Sequence, residues 1–212
     1  MTTAKTLREN YRSSSIRYQL LISVIVLAIV LYFYANFLNY VEVRVGFSFR
    51  DPVLELMKPI DLTLLIFISI YLALFAGIII LIGNPLRLVF AVQIYTLLVL
   101  VRIIAMYSVP LNPPADMIPL NDPFVQFFGT GKLLTKDLFF SGHTATLFML
   151  YLVIDRNPYK KIFLLLTIVV AVSVLLQHVH YFIDVFTAPF FAFACYEVVK
   201  KTRLKINYTS PV

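Results

Sequence analysis

The residue types that could do chemistry in this chain gather in two short motifs. His143 lies in Ser141-Gly142-His143-Thr144, and His180 and Asp184 lie in His180-Tyr181-Phe182-Ile183-Asp184. Both motifs sit in or beside stretches apolar enough to cross a bilayer, where titratable groups are costly and are kept for function. On a helix, the i, i+4 spacing brings His180 and Asp184 into contact range on one face. A carboxylate bonded to one imidazole nitrogen fixes the tautomer and raises the basicity of the other nitrogen, which becomes a nucleophile or base. Ser141 can cap a helix whose first N–H groups, from Gly142 and His143, point toward an anion. His143, standing beside that anion, suits a general acid. Arg102 is the one cation inside an apolar span, and its planar guanidinium suits phosphate. The sum describes phosphoryl transfer through a phosphohistidine at His180, a reaction in which cationic groups matter because charge builds on the equatorial oxygens.

Two other chemistries use the same residues. His178, His180 and Asp184 could be three metal ligands, but on a helix the i, i+2 spacing turns His178 away from the other two. The expectation is therefore a reaction without metal or other cofactor. A membrane transporter with a His/Asp relay is the rival from another class. It would spread polar groups through several spans near mid-depth, whereas here they cluster at one end.

The elements that must position these residues are apolar helices. The chain has 212 residues, 60% of them hydrophobic and only 14% charged, against about 25% charged in soluble domains. Mean hydropathy is +0.87. The net charge is +7, but the basic residues flank apolar runs and form no concentrated face. That pattern fits membrane orientation and argues against nucleic acid as a partner. The single cysteine, Cys195, sits in an apolar run and leaves no internal disulfide. The basic N-terminus is followed by too long an apolar run for a signal h-region, so it reads as a first span.

Runs of about 20 apolar residues suffice to cross the hydrocarbon core. They place spans at 18–41, 62–83, 86–109, 138–154, 161–178 and 181–199. The expected fold is all-α: a polytopic membrane protein with six transmembrane helices. A tail at 1–17, a catalytic domain at 18–199 and a basic tail at 200–212 complete the domain plan. Gly83-Asn84-Pro85 makes a tight turn, and Asp155-Arg156-Asn157-Pro158 ends the fourth span. The longest loop covers 110–137. With both termini cytoplasmic, the inside segments carry the basic N-tail, Arg87, Arg156, Lys160, Lys161 and the basic C-tail. The outside loops carry fewer cations: Arg44, Arg50, Lys58, Lys132 and Lys136. This asymmetry sets both termini cytoplasmic. It brings His143 and His180, 37 residues apart in sequence, to the same exoplasmic face (periplasmic or lumenal).

At these motifs the chain resembles the sphingomyelin synthase branch of the type 2 phosphatidic acid phosphatase superfamily. That branch carries Ser-Gly-His-Thr preceded by an acidic residue, then His-Tyr-x-x-Asp about forty residues on. Asp137-Leu-Phe-Phe-Ser141-Gly-His143-Thr144 and His178-Val-His180-Tyr181-Phe-Ile-Asp184 match it, including the extra histidine. Arg102-Ile-Ile-Ala-Met106-Tyr107-Ser-Val-Pro110 is similar to the branch's third helix and the loop after it. The resemblance covers residues 85–200. It departs at Phe182, where a threonine commonly stands, at Thr135-Lys136, where Cys-Gly stands, and in the C-terminal aromatic pattern, kept only in Tyr196. Val174 after Ser173 takes the place of the arginine of the classical phosphatase branch.

The resemblance implies that His180 attacks phosphorus, Asp184 orients it and His143 protonates the leaving group. It implies Arg102, Ser141 and Gly142 at the phosphate, with Asp137, Tyr107, Tyr181 and His178 at the headgroup or supporting the site. The expected activity is transfer of a phospho-headgroup from a phospholipid to a lipid hydroxyl such as ceramide or diacylglycerol. Water as acceptor would instead make a lipid phosphate phosphatase. The expected partners are membrane lipids as donor and acceptor, and a homo-oligomer is compatible with the sequence.

Overall fold

The computed structural model describes residues 14–120 and 133–209, with side chains as far as Leu204. Among the described residues there are six α-helices and no strand: α1 (Ser14–Val43), α2 (Thr63–Ile82), α3 (Pro85–Ser108), α4 (Gly142–Val153), α5 (Asn157–Leu176) and α6 (Phe182–Thr209). Five of them are long and apolar enough to cross a membrane; α4, with 12 residues, is not. The chain is thus a multi-pass membrane protein by helix length and composition.

Local chemistry fixes the helix ends. Pro85 opens α3 at a position where a missing N–H costs nothing, and the Asn84 side chain accepts the Arg87 N–H at 3.3 Å. Pro158 does the same for α5, so the Asp155–Pro158 break also starts the next helix. Arg87 pairs with Asp155, tying the start of α3 to the turn between α4 and α5. The expected tail boundary at 200 falls inside α6, which continues to Thr209.

The expected fourth span is shorter than 138–154. Phe140 gives its carbonyl to Arg102 Nε at 2.9 Å, and the Ser141 N–H donates to the Asp184 carbonyl at 3.0 Å. Those bonds hold the residues before Gly142 outside the helix. The fifth and sixth spans are also separated: α5 stops at Leu176 and α6 starts at Phe182. Residues 177–181 form a turn, with His178 at φ 55°.

The packing centres on α4, which lies against α5 and α6. α1 packs on α3, α2 on α5, and α3 on α6. Phe140, Ala145, Leu147, Val170, Val174, Ala188 and Ala192 form the heart of the core. Small residues let helices approach closely in a bilayer: a Cβ on Gly77 of α2 would lie 3.1 Å from the Leu150 side chain of α4, a tight contact. Most of α1 faces outward, with Tyr32, Phe33 and Tyr40 exposed.

A canopy of loops covers the turn at 177–181. Phe47 exchanges backbone bonds with Pro110 and Asn112 at 3.0 and 2.9 Å. The Ile60 N–H reaches the Leu176 carbonyl at 2.8 Å, and the Ile118 N–H reaches the Gln177 carbonyl at 3.1 Å. Gln177 itself is fully buried, and its side chain bonds to the Leu62 N–H, the Thr63 hydroxyl and the Ile118 carbonyl. The last carbonyls of α5 are satisfied by backbone N–H groups: Ser173 by Gln177, Val174 by Val179, Leu175 by His178 and Leu176 by Ile60.

Candidate active site

His143, on the first turn of α4, and His180, in the turn before α6, meet across the interface of these helices. Their ring centroids are 6.1 Å apart, with planes at 66°. His180 is buried, and its Nδ1 lies 3.5 Å from Asp184 Oδ2. This is ion-pair range and longer than a hydrogen bond. His180 Nδ1 and Asp184 Oδ1 are both buried without a hydrogen-bond partner. Each of these open buried atoms carries a desolvation cost, and for Nδ1 a small approach to Oδ2 would remove it.

The contact does not come from helical phase. His180 precedes the helix, and Asp184 occupies its third position. There the carboxylate Oδ2 accepts the Tyr181 N–H at 3.1 Å, the backward half of a capping box. Asp184 therefore caps α6 and faces His180 at once. His178 also lies in the turn. It is buried, and its Nε2 has no hydrogen-bond partner. Among the described residues no three His, Cys, Asp or Glu side chains converge as metal ligands would.

Ser141 is the N-cap of α4, with its Oγ accepting the Thr144 N–H at 3.5 Å and lying 3.2 Å from the Thr144 hydroxyl. Below this cap sits Arg102. A Cβ on Gly142 would lie 2.7 Å from the guanidinium carbon, so a side chain at this position would force Arg102 or the start of α4 to shift. Arg102 is buried and multiply held: Nε donates to the Phe140 carbonyl at 2.9 Å, Nη1 to the Tyr34 hydroxyl at 2.6 Å, and Nη2 to Asp137 Oδ1 at 2.7 Å. Tyr34 also donates to Asp137 Oδ1, at 3.0 Å. Asp137 thus pairs with Arg102, and the guanidinium supports the start of α4 from beneath.

Glu42 on α1 fixes the preceding segment. Its carboxylate accepts the Thr135 N–H at 3.0 Å and the Lys136 N–H at 3.1 Å. The expected headgroup residues are divided. Tyr181 is buried against Phe49, with centroids 4.2 Å apart, and its hydroxyl donates to the Asn112 carbonyl at 3.1 Å. Tyr107 ends α3 with an exposed side chain, and its carbonyl accepts from Arg44. Of two further acidic residues in the 110–137 loop, which the sequence reads as solvated charges, Asp116 is exposed and Asp122 lies outside the described residues.

Three participants carry no local sequence signal. Tyr34 and Glu42 lie on α1, and Asp51 lies in the loop after it. Asp51 is buried and accepts the Phe182 N–H at 2.6 Å. All three are far from the motifs in sequence, and only the packing of α1 and the canopy reveals them.

A family model described as PAP2 superfamily C-terminal matches residues 136–202. This is the segment that holds both histidine motifs, α4, α5 and most of α6. The match supports the type 2 phosphatidic acid phosphatase superfamily. Its members are phosphatases or phosphotransferases, so an enzyme acting on phosphate esters is supported. No curated protein matches the chain.

Proposed function

We propose that the protein is an integral membrane phosphotransferase that moves a phospho-headgroup from a phospholipid to a lipid hydroxyl, through a phosphohistidine at His180. The observation that carries this reading is the meeting of His143 and His180 at 6.1 Å, with Asp184 behind His180. In the first half-reaction the His180 Nε2 lone pair attacks phosphorus. The bond from phosphorus to the leaving oxygen breaks, and that oxygen takes a proton from His143. With the 3.5 Å gap to Nδ1 closed, Asp184 accepts the Nδ1 proton of His180 in a hydrogen bond, which favours the tautomer with a free Nε2. In the second half-reaction His143 takes the proton of the acceptor hydroxyl, whose oxygen attacks phosphorus and breaks the P–N bond.

Helix lengths support a lipid donor. At 1.5 Å per residue, α4 rises about 18 Å and its neighbour α5 about 30 Å. The two are joined by a short turn, so the start of α4 falls short of the far end of α5 by about 12 Å, roughly two-fifths of the hydrocarbon thickness. A phosphate ester anchored in the bilayer reaches such a recessed site from the side. The exoplasmic placement of the site rests on the Lys/Arg asymmetry alone.

The test uses purified protein and a fluorescent-tailed phospholipid, with and without ceramide or diacylglycerol. Transfer to the lipid hydroxyl is expected, together with an acid-labile phosphoenzyme that is absent in His180→Ala. Release of free phosphate or headgroup phosphate alone, unchanged by either acceptor, would replace the transferase with a phosphatase. Full activity in His180→Ala would end the phosphohistidine reading.

A further inference from the structure

Asp51 sits outside both motifs, yet it holds the backbone on which they meet. Its residue is 6% exposed, although it belongs to a loop between helices. Oδ1 accepts the Val53 N–H at 2.9 Å, which ties the carboxylate to its own loop. Oδ2 accepts the Phe182 N–H at 2.6 Å, across 131 residues of sequence. Phe49, two residues earlier, stacks on Tyr181 at 4.2 Å. The loop therefore grips the two residues between His180 and the rest of α6.

The first N–H groups of a helix need acceptors from outside it. At the start of α6 two carboxylates divide this work: Asp51 takes the Phe182 N–H, and Asp184 takes the Tyr181 N–H with Oδ2. Asp184 Oδ1 stays unbonded and buried, while the Oδ2 that caps Tyr181 also lies 3.5 Å from the unbonded His180 Nδ1. If Asp51 were absent, the part-buried Phe182 N–H would lose its acceptor, and Asp184 is the other carboxylate that caps this helix start. An acidic residue at the third helical position is suited to just such a bond. Capping would then compete with His180 for the same carboxylate.

We propose that Asp51 is a positioning residue: by occupying the Phe182 N–H it leaves a carboxylate oxygen of Asp184 to orient His180. The inference rests on the phosphohistidine reading. It adds a residue from the first loop, outside the matched segment, to the reaction.

The test measures kcat and KM of the full-length protein in nanodiscs with a fluorescent-tailed phospholipid, for wild type, Asp51→Ala, Asp51→Asn and His180→Ala. Hydrogen exchange over the first turn of α6 is followed in parallel. Asp51→Ala is expected to lower kcat by on the order of 10²-fold, the scale of a misplaced catalytic group, with KM within about twofold. Asn keeps one acceptor oxygen, so Asp51→Asn is expected to recover to within about tenfold of wild type. Exchange in the first turn should rise in the order wild type, Asn, Ala. Wild-type kcat in Asp51→Asn and Asp51→Ala, with His180→Ala inactive, overturns the role of Asp51 and leaves the phosphohistidine intact. Should Asp51→Ala fail to fold, Asp51→Asn decides: wild-type kcat or wild-type exchange overturns the proposal, and a kcat loss with faster exchange supports it. Full turnover in His180→Ala removes the phosphohistidine reading and this inference with it.

Discussion

At the scale of single residues, the site is built on positions with no freedom to change. Gly142 lies where a Cβ would meet the Arg102 guanidinium. Gly142→Ala is expected to cost about 1–3 kcal/mol of stability, the usual range for overpacking, and to depress activity by displacing Arg102 or the start of α4. Thermal unfolding in detergent together with turnover checks this; a variant as stable and as active as wild type would contradict the packing described. His178 is held at φ 55°, a conformation that costs a branched side chain and suits Gly or Asn. His178→Asn is therefore expected to fold at least as well as wild type, and a fall in its turnover would assign the imidazole a part in the reaction. Unchanged turnover would make His178 a packing residue. The two histidines and Asp184 were legible in the sequence because ionisable groups are rare in apolar runs. The route to their contact was not. Helical spacing suggested it for His180 and Asp184, whereas the structure reaches it through a turn and a capping bond.

Among the elements, α1 has the least buried surface but a large role at the site. It supplies Tyr34 to Arg102 and Asp137, and Glu42 to the Thr135-Lys136 backbone. Arg102→Ala would leave the Asp137 carboxylate without its cation. Removing one partner of a buried ion pair costs about 3–5 kcal/mol; Asp137 is a quarter exposed, so the lower end is expected. Arg102→Ala combined with Asp137→Leu should be less damaging than Arg102→Ala alone, and unfolding midpoints of the single and double variants check it. Equal midpoints would show that the pair is not coupled. Helix positions were legible to within a few residues from hydropathy, except for the end of α6, which runs ten residues past the expected 199 to Thr209. The start of α4 has a particular cause. Hydropathy counts Leu138–Phe140 as span, because it cannot see the Phe140 carbonyl bonded to Arg102 or the Ser141 N–H bonded to the Asp184 carbonyl. The canopy was invisible for a similar reason: its backbone bonds join loops distant in sequence, and its residue types give no periodic signal.

For the whole molecule, the proposed function and the shortness of α4 together tie turnover to the membrane around it. A site recessed in the bilayer must match the depth of its substrate's phosphate, and mismatch costs fractions of a kcal/mol per Å. Turnover in vesicles of defined acyl length is expected to pass through a maximum near an ordinary hydrocarbon thickness of about 30 Å and to fall on both sides. A flat response would mean that the substrate reaches His180 through the canopy and not from the bilayer. The six-helix architecture has a second consequence at this scale, which lies in α6. That helix starts at Phe182, two residues from His180, and runs without leaving helical geometry to Thr209, with Pro189 inside it. A chain of this size has little soluble mass for an electron microscope to align. A helical fusion partner continued in phase from Thr209 would put a visible marker on the very element that bears Asp184, so particle images could be registered directly on the candidate site.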